Sequence, residues 1–95
     1  MRAAPRADSV PVVPLSMDVH SVDGGVTIDD VVRAHRADLR TQAEYDVRFL
    51  RYWVDEARGR IFCLAEAPSA DAAIAVHREA HGLMADEVYQ VQEGS

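Results

Sequence analysis

The stretch Gly59–Leu83, GRIFCLAEAPSADAAIAVHREAHGL, decides the fold. Arg60 to Ala67 has almost no polar break, as expected of a strand covered on both sides. Pro68-Ser69 ends it. Ser69 is a good helix N-cap, and Asp71 places a negative charge in the first turn, where the helix dipole favours it. Ala72, Ala73, Val76 and Ala80 then share one helical face, and their small side chains let a helix approach a sheet closely. Gly82 stands where a helix takes its left-handed C′ residue. The stretch is therefore a strand followed by a helix that lies back on the sheet.

Working outward, Leu15 to His20 alternates: Leu15, Met17 and Val19 on one face, Ser16, Asp18 and His20 on the other. Asp23-Gly24-Gly25 breaks this strand. Thr27 caps a helix expected from Ile28 to Glu44, with Ile28, Val31, Val32, His35, Leu39 and Ala43 as its apolar stripe and Arg33, Arg36, Asp38, Arg40 and Gln42 outside. Val47 to Val54 is rich in β-branched and aromatic residues and reads as a strand. It joins Arg60 through a polar hairpin loop that ends on Gly59. Asp86 to Gln92 is a last strand. The order βαββαβ predicts an α+β, ferredoxin-like domain over residues 15–95, an antiparallel sheet with both helices on one face. The other face would carry Leu50, Phe62 and Leu64 with Tyr52 and Trp53, too apolar to leave wet, which predicts a homodimer stacked sheet to sheet. Residues 1–14, with three prolines and no period, read as a flexible tail, and Met17 is a candidate start codon.

Composition removes several function classes. Ninety-five residues make one domain, and ten basic against sixteen acidic side chains give a formal charge of −6. Phosphate binding needs a concentrated basic face, so no nucleic-acid partner is expected. No apolar run reaches the roughly 18 residues that cross a bilayer, and the Arg2–Arg6 leader lacks the apolar core of a signal peptide. One cysteine cannot form an internal disulfide. These features together predict a cytoplasmic protein without a membrane partner.

The side chains that could carry chemistry are histidines and carboxylates. His77 and His81 are four apart, about 40° around a helix, so both rings can reach one metal. The same spacing suits an imidazolium at a helix C-terminus, and without a third ligand it is a weak signal. Asp18 and His20 share a strand face about 7 Å apart. With the first and third strands taken as parallel neighbours, Glu66 would lie beside His20, completing a set of N and O donors suited to Ni²⁺, Zn²⁺ or Mn²⁺. A polar strand end opening to water accounts for the same residues equally well. His35, in an apolar stripe, reads as a half-buried histidine that Asp38 could join in a surface site. Cys63 reads as core.

Several strings resemble a family of small bacterial proteins of unknown function: Met17-Asp18-Val19-His20, Val26-Thr27, Phe62-Cys63-Leu64-x-Glu66-Ala67-Pro68, Ala75 to Leu83 and Ala85-Asp86-Glu87. That family includes a dimeric nickel-binding member with a ferredoxin-like fold, and the likeness runs from Leu15 to Glu93. The resemblance implies a homodimer of the dimeric α+β barrel type and Ni²⁺ binding for sequestration or detoxification; it does not imply an enzyme. The residues it implies as metal ligands are His20, His77 and His81, then Asp18 and Glu66, then His35. An alternative rests on fold analogy alone: a small-molecule enzyme, monooxygenase- or isomerase-like, with Tyr52, Trp53, Cys63 and His20 lining its pocket.

Overall fold

A computed structural model describes residues 14–94; the expected tail lies outside the described residues apart from Pro14. The chain runs β1 (Leu15–Ser21), α1 (Ile28–Thr41), a 3₁₀ turn at Gln42–Tyr45, β2 (Arg48–Asp55), β3 (Arg60–Glu66), α2 (Ala70–Ala80) and β4 (Glu87–Val91). The four strands form one antiparallel sheet in the order β2-β3-β1-β4, the ferredoxin-like arrangement.

The expected caps form. Thr27 Oγ1 accepts the Asp30 amide at 3.2 Å, and Ser69 Oγ accepts the Ala72 amide at 3.2 Å. Gly82 takes φ +81° and its amide reaches the His77 carbonyl at 2.8 Å, which closes α2. Helix α1 stops three residues short of expectation, at Thr41, because the chain tightens into the 3₁₀ turn and Asp46 then adopts φ 57°. Gly59 has φ +66°, and a Cβ there would stand 2.4 Å from the Val22 carbonyl oxygen. Only glycine fits that contact, and it lets the Val22 amide donate to the Gly59 carbonyl at 2.7 Å.

The core lies between the sheet and the helices. It is built from Val31, Val47, Phe49, Ile61, Cys63, Ala65, Ala67, Ala73 and Val76. Ala65, Ala67 and Ala73 are wholly buried, so α2 sits close on the sheet, as their small size requires.

Three expectations are corrected here. Strands β1 and β3 are antiparallel, so His20 pairs with Ile61 while Glu66 pairs with Leu15, at the far end of the strand. A strand that follows a hairpin from β2 must run against β1, because β1 and β2 flank a helical crossover and are themselves parallel. Tyr52 turns inward, opposite Cys63 and against the core, and leaves Trp53, Leu50 and Leu64 on the open face. The register shift between Phe49 and Arg51 sets this: the bulge at Leu50 places one extra residue on the outer side. On α1 the stripe is rotated: Asp38 is buried, whereas Ile28 and Leu39 are exposed.

Candidate metal centre

The polar face of β1 is the buried one. Ser16, Asp18 and His20 point under the helices, and Asp18 is 0 % exposed. Leaving a carboxylate there without partners would cost several kcal/mol, on the order of 3–5. The partners come from β1 itself and from α2. Asp18 Oδ1 lies 2.9 Å from His20 Nε2 and Asp18 Oδ2 lies 2.9 Å from His77 Nε2. His77 Nδ1 lies 2.9 Å from Asp38 Oδ1, and that same oxygen is 3.0 Å from His81 Nε2. The chain His20–Asp18–His77–Asp38–His81 therefore crosses from β1 through α2 to α1 and back to the end of α2.

The protons follow from the partners. Each nitrogen of His77 faces a carboxylate oxygen, so both carry a proton and the ring is an imidazolium. The Leu83 amide donates to His81 Nδ1 at 3.1 Å, so His81 carries its proton on Nε2 and donates it to Asp38. The Nε2 of His81 and the Nδ1 of His77, 3.3 Å apart, are then two donors converging on one oxygen rather than a pair bonded to each other. Burial opposes charge on His77, but Asp18, Asp38 and, behind them, Cys63 outweigh it and raise its pKa to about 11. Burial likewise opposes charge on both carboxylates. The hydrogen bonds from His20 and His77 still hold Asp18 below its usual range, and those from His77 and His81 do the same for Asp38. Cys63 is pushed up to about 11 by burial and is a thiol.

Two groups of donors converge within 4.8 Å: Asp18, His20, Cys63 and His77, and separately Asp38, His77 and His81. Neighbouring ligands at about 2.1 Å from one cation stand about 3 Å apart, close to the separations already present. His20 Nδ1 is buried with no hydrogen-bond partner. It lies across the ring from the Nε2 that meets Asp18, and a buried polar atom of this kind calls for a partner. A pocket of about 20 Å³, walled by His20, His35, Asp38, His77, His81 and Ile61, is large enough for one atom the size of water. The donor set fits a divalent transition ion: imidazoles and a thiol for affinity, carboxylates for charge.

Of the expected ligands, Asp18, His20, His77 and His81 come together. Glu66 does not: it pairs with Arg48 at 3.1 Å near the surface. His35 lines the pocket wall, 4.6 Å from the Tyr52 ring by centroid, outside both donor groups; burial lowers its pKa, the Asp38 charge opposes this, and His77 lowers it further. Asp38 faces His77 instead of joining His35 at the surface. Asp38 and Cys63 are the missed members. Asp38 was legible in one respect: it follows Val31 by seven residues, two helical turns, and so shares its bearing. The four residues expected to line one pocket divide between the faces: Trp53 lies on the open face while His20, Tyr52 and Cys63 lie under the helices.

Comparison with known proteins bears on the same region. The family model for nickel responsive protein SCO4226-like matches residues 17–91. The crystal structure of SCO4226 from Streptomyces coelicolor A3(2) superposes with a TM-score of 0.79 at 42 % sequence identity, covering 85 % of this chain and 99 % of that one. No curated protein matches. The segments that carry Asp18, His20, Asp38, Cys63, His77 and His81 all fall inside the matched range, and the chain belongs to the SCO4226-like family of nickel responsive proteins.

Proposed function

We propose that the protein is a homodimeric, non-catalytic Ni²⁺-binding protein that sequesters the ion in the buried centre between β1 and α2. The observation that carries this reading is the buried set of carboxylate, imidazole and thiol donors converging at Asp18, His20, Cys63 and His77. The family supports a nickel-related role, and the donor chemistry supports direct binding. When bound, the ion supplies positive charge that the two carboxylates now draw from protons on His77. The chain's own residues do the rest: Asp18, His20, Cys63 and His77 would bind, Asp38 and His81 hold the His77 ring in place, and Val31, Ile61 and Phe49 exclude water.

The second copy covers the open sheet face. A depression of about 440 Å³ there is lined by Leu15, Met17, Leu50, Trp53, Leu64 and Val91, with Trp53 47 % exposed. An apolar face of this kind is stabilised by burial against its own copy. Among the described residues no helix is long and apolar enough to cross a membrane.

Calorimetric titration of untagged protein with Ni²⁺ tests the reading. Binding is expected to release protons, to strengthen as pH rises, and to weaken at least tenfold in His20→Ala. Wild-type affinity in a folded His20→Ala protein would overturn the buried centre as the site.

A further inference from the structure

We propose that a cavity at the N-terminal end of α2 binds a small monocarboxylate. The cavity shares no residue with either donor group and is independent of the metal-binding reading. Its volume is about 250 Å³, and Ser16, Pro68, Ser69, Ala70, Val88 and Gln90 are among its walls. At about 30 Å³ of liquid per molecule it has room for about eight waters.

Ser16 is the residue that points to a ligand. It is only 4 % exposed and lines the cavity, yet among the described residues its hydroxyl has no hydrogen-bond partner. A buried hydroxyl in that state costs free energy unless something in the cavity meets it. The register explains why the protein offers nothing on one side: Ser16 stands opposite Ala65 on β3, which has no polar side chain. On the other side it stands opposite Gln90 on β4, whose carboxamide lines the same cavity.

Helix α2 supplies the electrostatic field. The first amides of a helix have no intrahelical acceptor. The Ser69 hydroxyl accepts the Ala72 amide at 3.2 Å, and the Ser69 carbonyl accepts the Ala73 amide at 3.5 Å. That leaves the amides of Ala70 and Asp71 free at the positive end of an eleven-residue helix. The Ser69 hydroxyl can still donate its own proton.

The lining sets the class of ligand. Among the described residues it holds no cationic side chain and no carboxylate, so nothing there balances two negative charges. The chain as a whole carries −6, which further disfavours a phosphate-like dianion. A single negative charge matches the helix end, and Pro68 and Val88 offer an apolar wall to a short hydrocarbon tail. The carboxylate accepts from the Ser16 hydroxyl and the Ala70 amide, and the tail rests on that wall.

Butyrate is the probe, titrated into the full chain at constant ionic strength and followed by amide chemical shifts. The Ser16 and Ala70 resonances are expected to move along one saturable curve, with a dissociation constant on the order of 1–10 mM for so small a ligand. Butyramide, of the same shape without the charge, should bind about tenfold more weakly, and inorganic phosphate should leave these resonances in place. Ser16→Ala removes a hydroxyl that has no partner, so the urea midpoint should hold or rise while butyrate binding weakens about tenfold. Shifts still linear at about 100 mM butyrate, equal binding of butyramide, or wild-type affinity in Ser16→Ala would each overturn the carboxylate site, whatever Ni²⁺ does. The butyrate–butyramide comparison uses the wild-type chain alone, so it decides the question even if Ser16→Ala does not fold.

Discussion

The two faces of the sheet carry opposite chemistry, and each carries the kind usually found on the other. Under the helices lie Asp18 and His20, joined by His77 and Asp38, none more than 4 % exposed. On the open side stand Leu15, Met17, Leu50, Trp53 and Leu64, with Trp53 nearly half exposed. Both faces come from the same strands, since alternate residues of β1, β2 and β3 point opposite ways. The difference teaches what each face needs. The inner one must be satisfied by hydrogen bonds or a cation at fixed distances, and its energetics are those of a network. The outer one needs only area, and any well-fitting apolar surface meets that need.

The largest effect should come from the inner face. Asp18→Ala strips the His77 imidazolium of one carboxylate and leaves His20 with both nitrogens unpartnered. A loss of about 3–5 kcal/mol is expected, read as a lower urea midpoint with an unchanged slope. A cost below about 1 kcal/mol would show that the network contributes little to stability.

The pH profile of the metal-free protein sharpens the same face. The folded pKa of His77 lies at about 11, above the ordinary 6.5, so its contribution is complete below 6.5 and is lost as pH rises toward 11. Asp18 and Asp38 are shifted down from 3.8, so their contribution holds above that value and disappears as pH falls through their folded pKa values. Stability should therefore peak in mildly acidic solution and decline on the alkaline side by up to about 1.4 kcal/mol per pH unit. Denaturant curves between pH 5 and 10 check this, and a flat alkaline limb would contradict the imidazolium.

The outer face should answer differently. Trp53→Glu is expected to weaken self-association by about 2–4 kcal/mol, shifting sedimentation toward the monomer, and to leave Ni²⁺ affinity within about twofold. A dimer unmoved by this change would place the subunit contact elsewhere. The smallest effect belongs to Glu66→Ala. Its bond to Arg48 is largely solvated, so thermal unfolding should move by no more than about 0.5 kcal/mol, with metal uptake unchanged.

How far residues alone led depends on which physical rule governed each. Among the described residues, periodicity located the four strands and two helices, because caps at Thr27 and Ser69 and turns at Gly24, Gly59 and Gly82 act locally. Asp18, His20, His77 and His81 were legible as donors, and their shared faces followed from strand and helix geometry. Glu66 failed for a nonlocal reason, since its neighbour depends on strand direction, and one wrong direction moves it the length of the sheet. Asp38 failed because a charged residue on a helix is normally assigned to solvent. Its burial is stable only in the company of His77, thirty-nine residues away. Cys63 was placed correctly in the core, yet the core there adjoins the donors.

The hydrogen-bonded chain from His20 to His81 also constrains the order of folding. Its members come from β1, α1 and α2, so no single hairpin or helix pair can satisfy Asp18 and Asp38 together. The central β1–β3 pairing must close across some forty residues before the network yields any stabilisation. It is expected to form after the folding barrier, and interactions of that kind slow unfolding while leaving the folding rate almost untouched; Asp38→Ala should then raise the unfolding rate alone in a chevron analysis. On that expectation the buried charges act on the lifetime of the native state more than on the speed at which it forms.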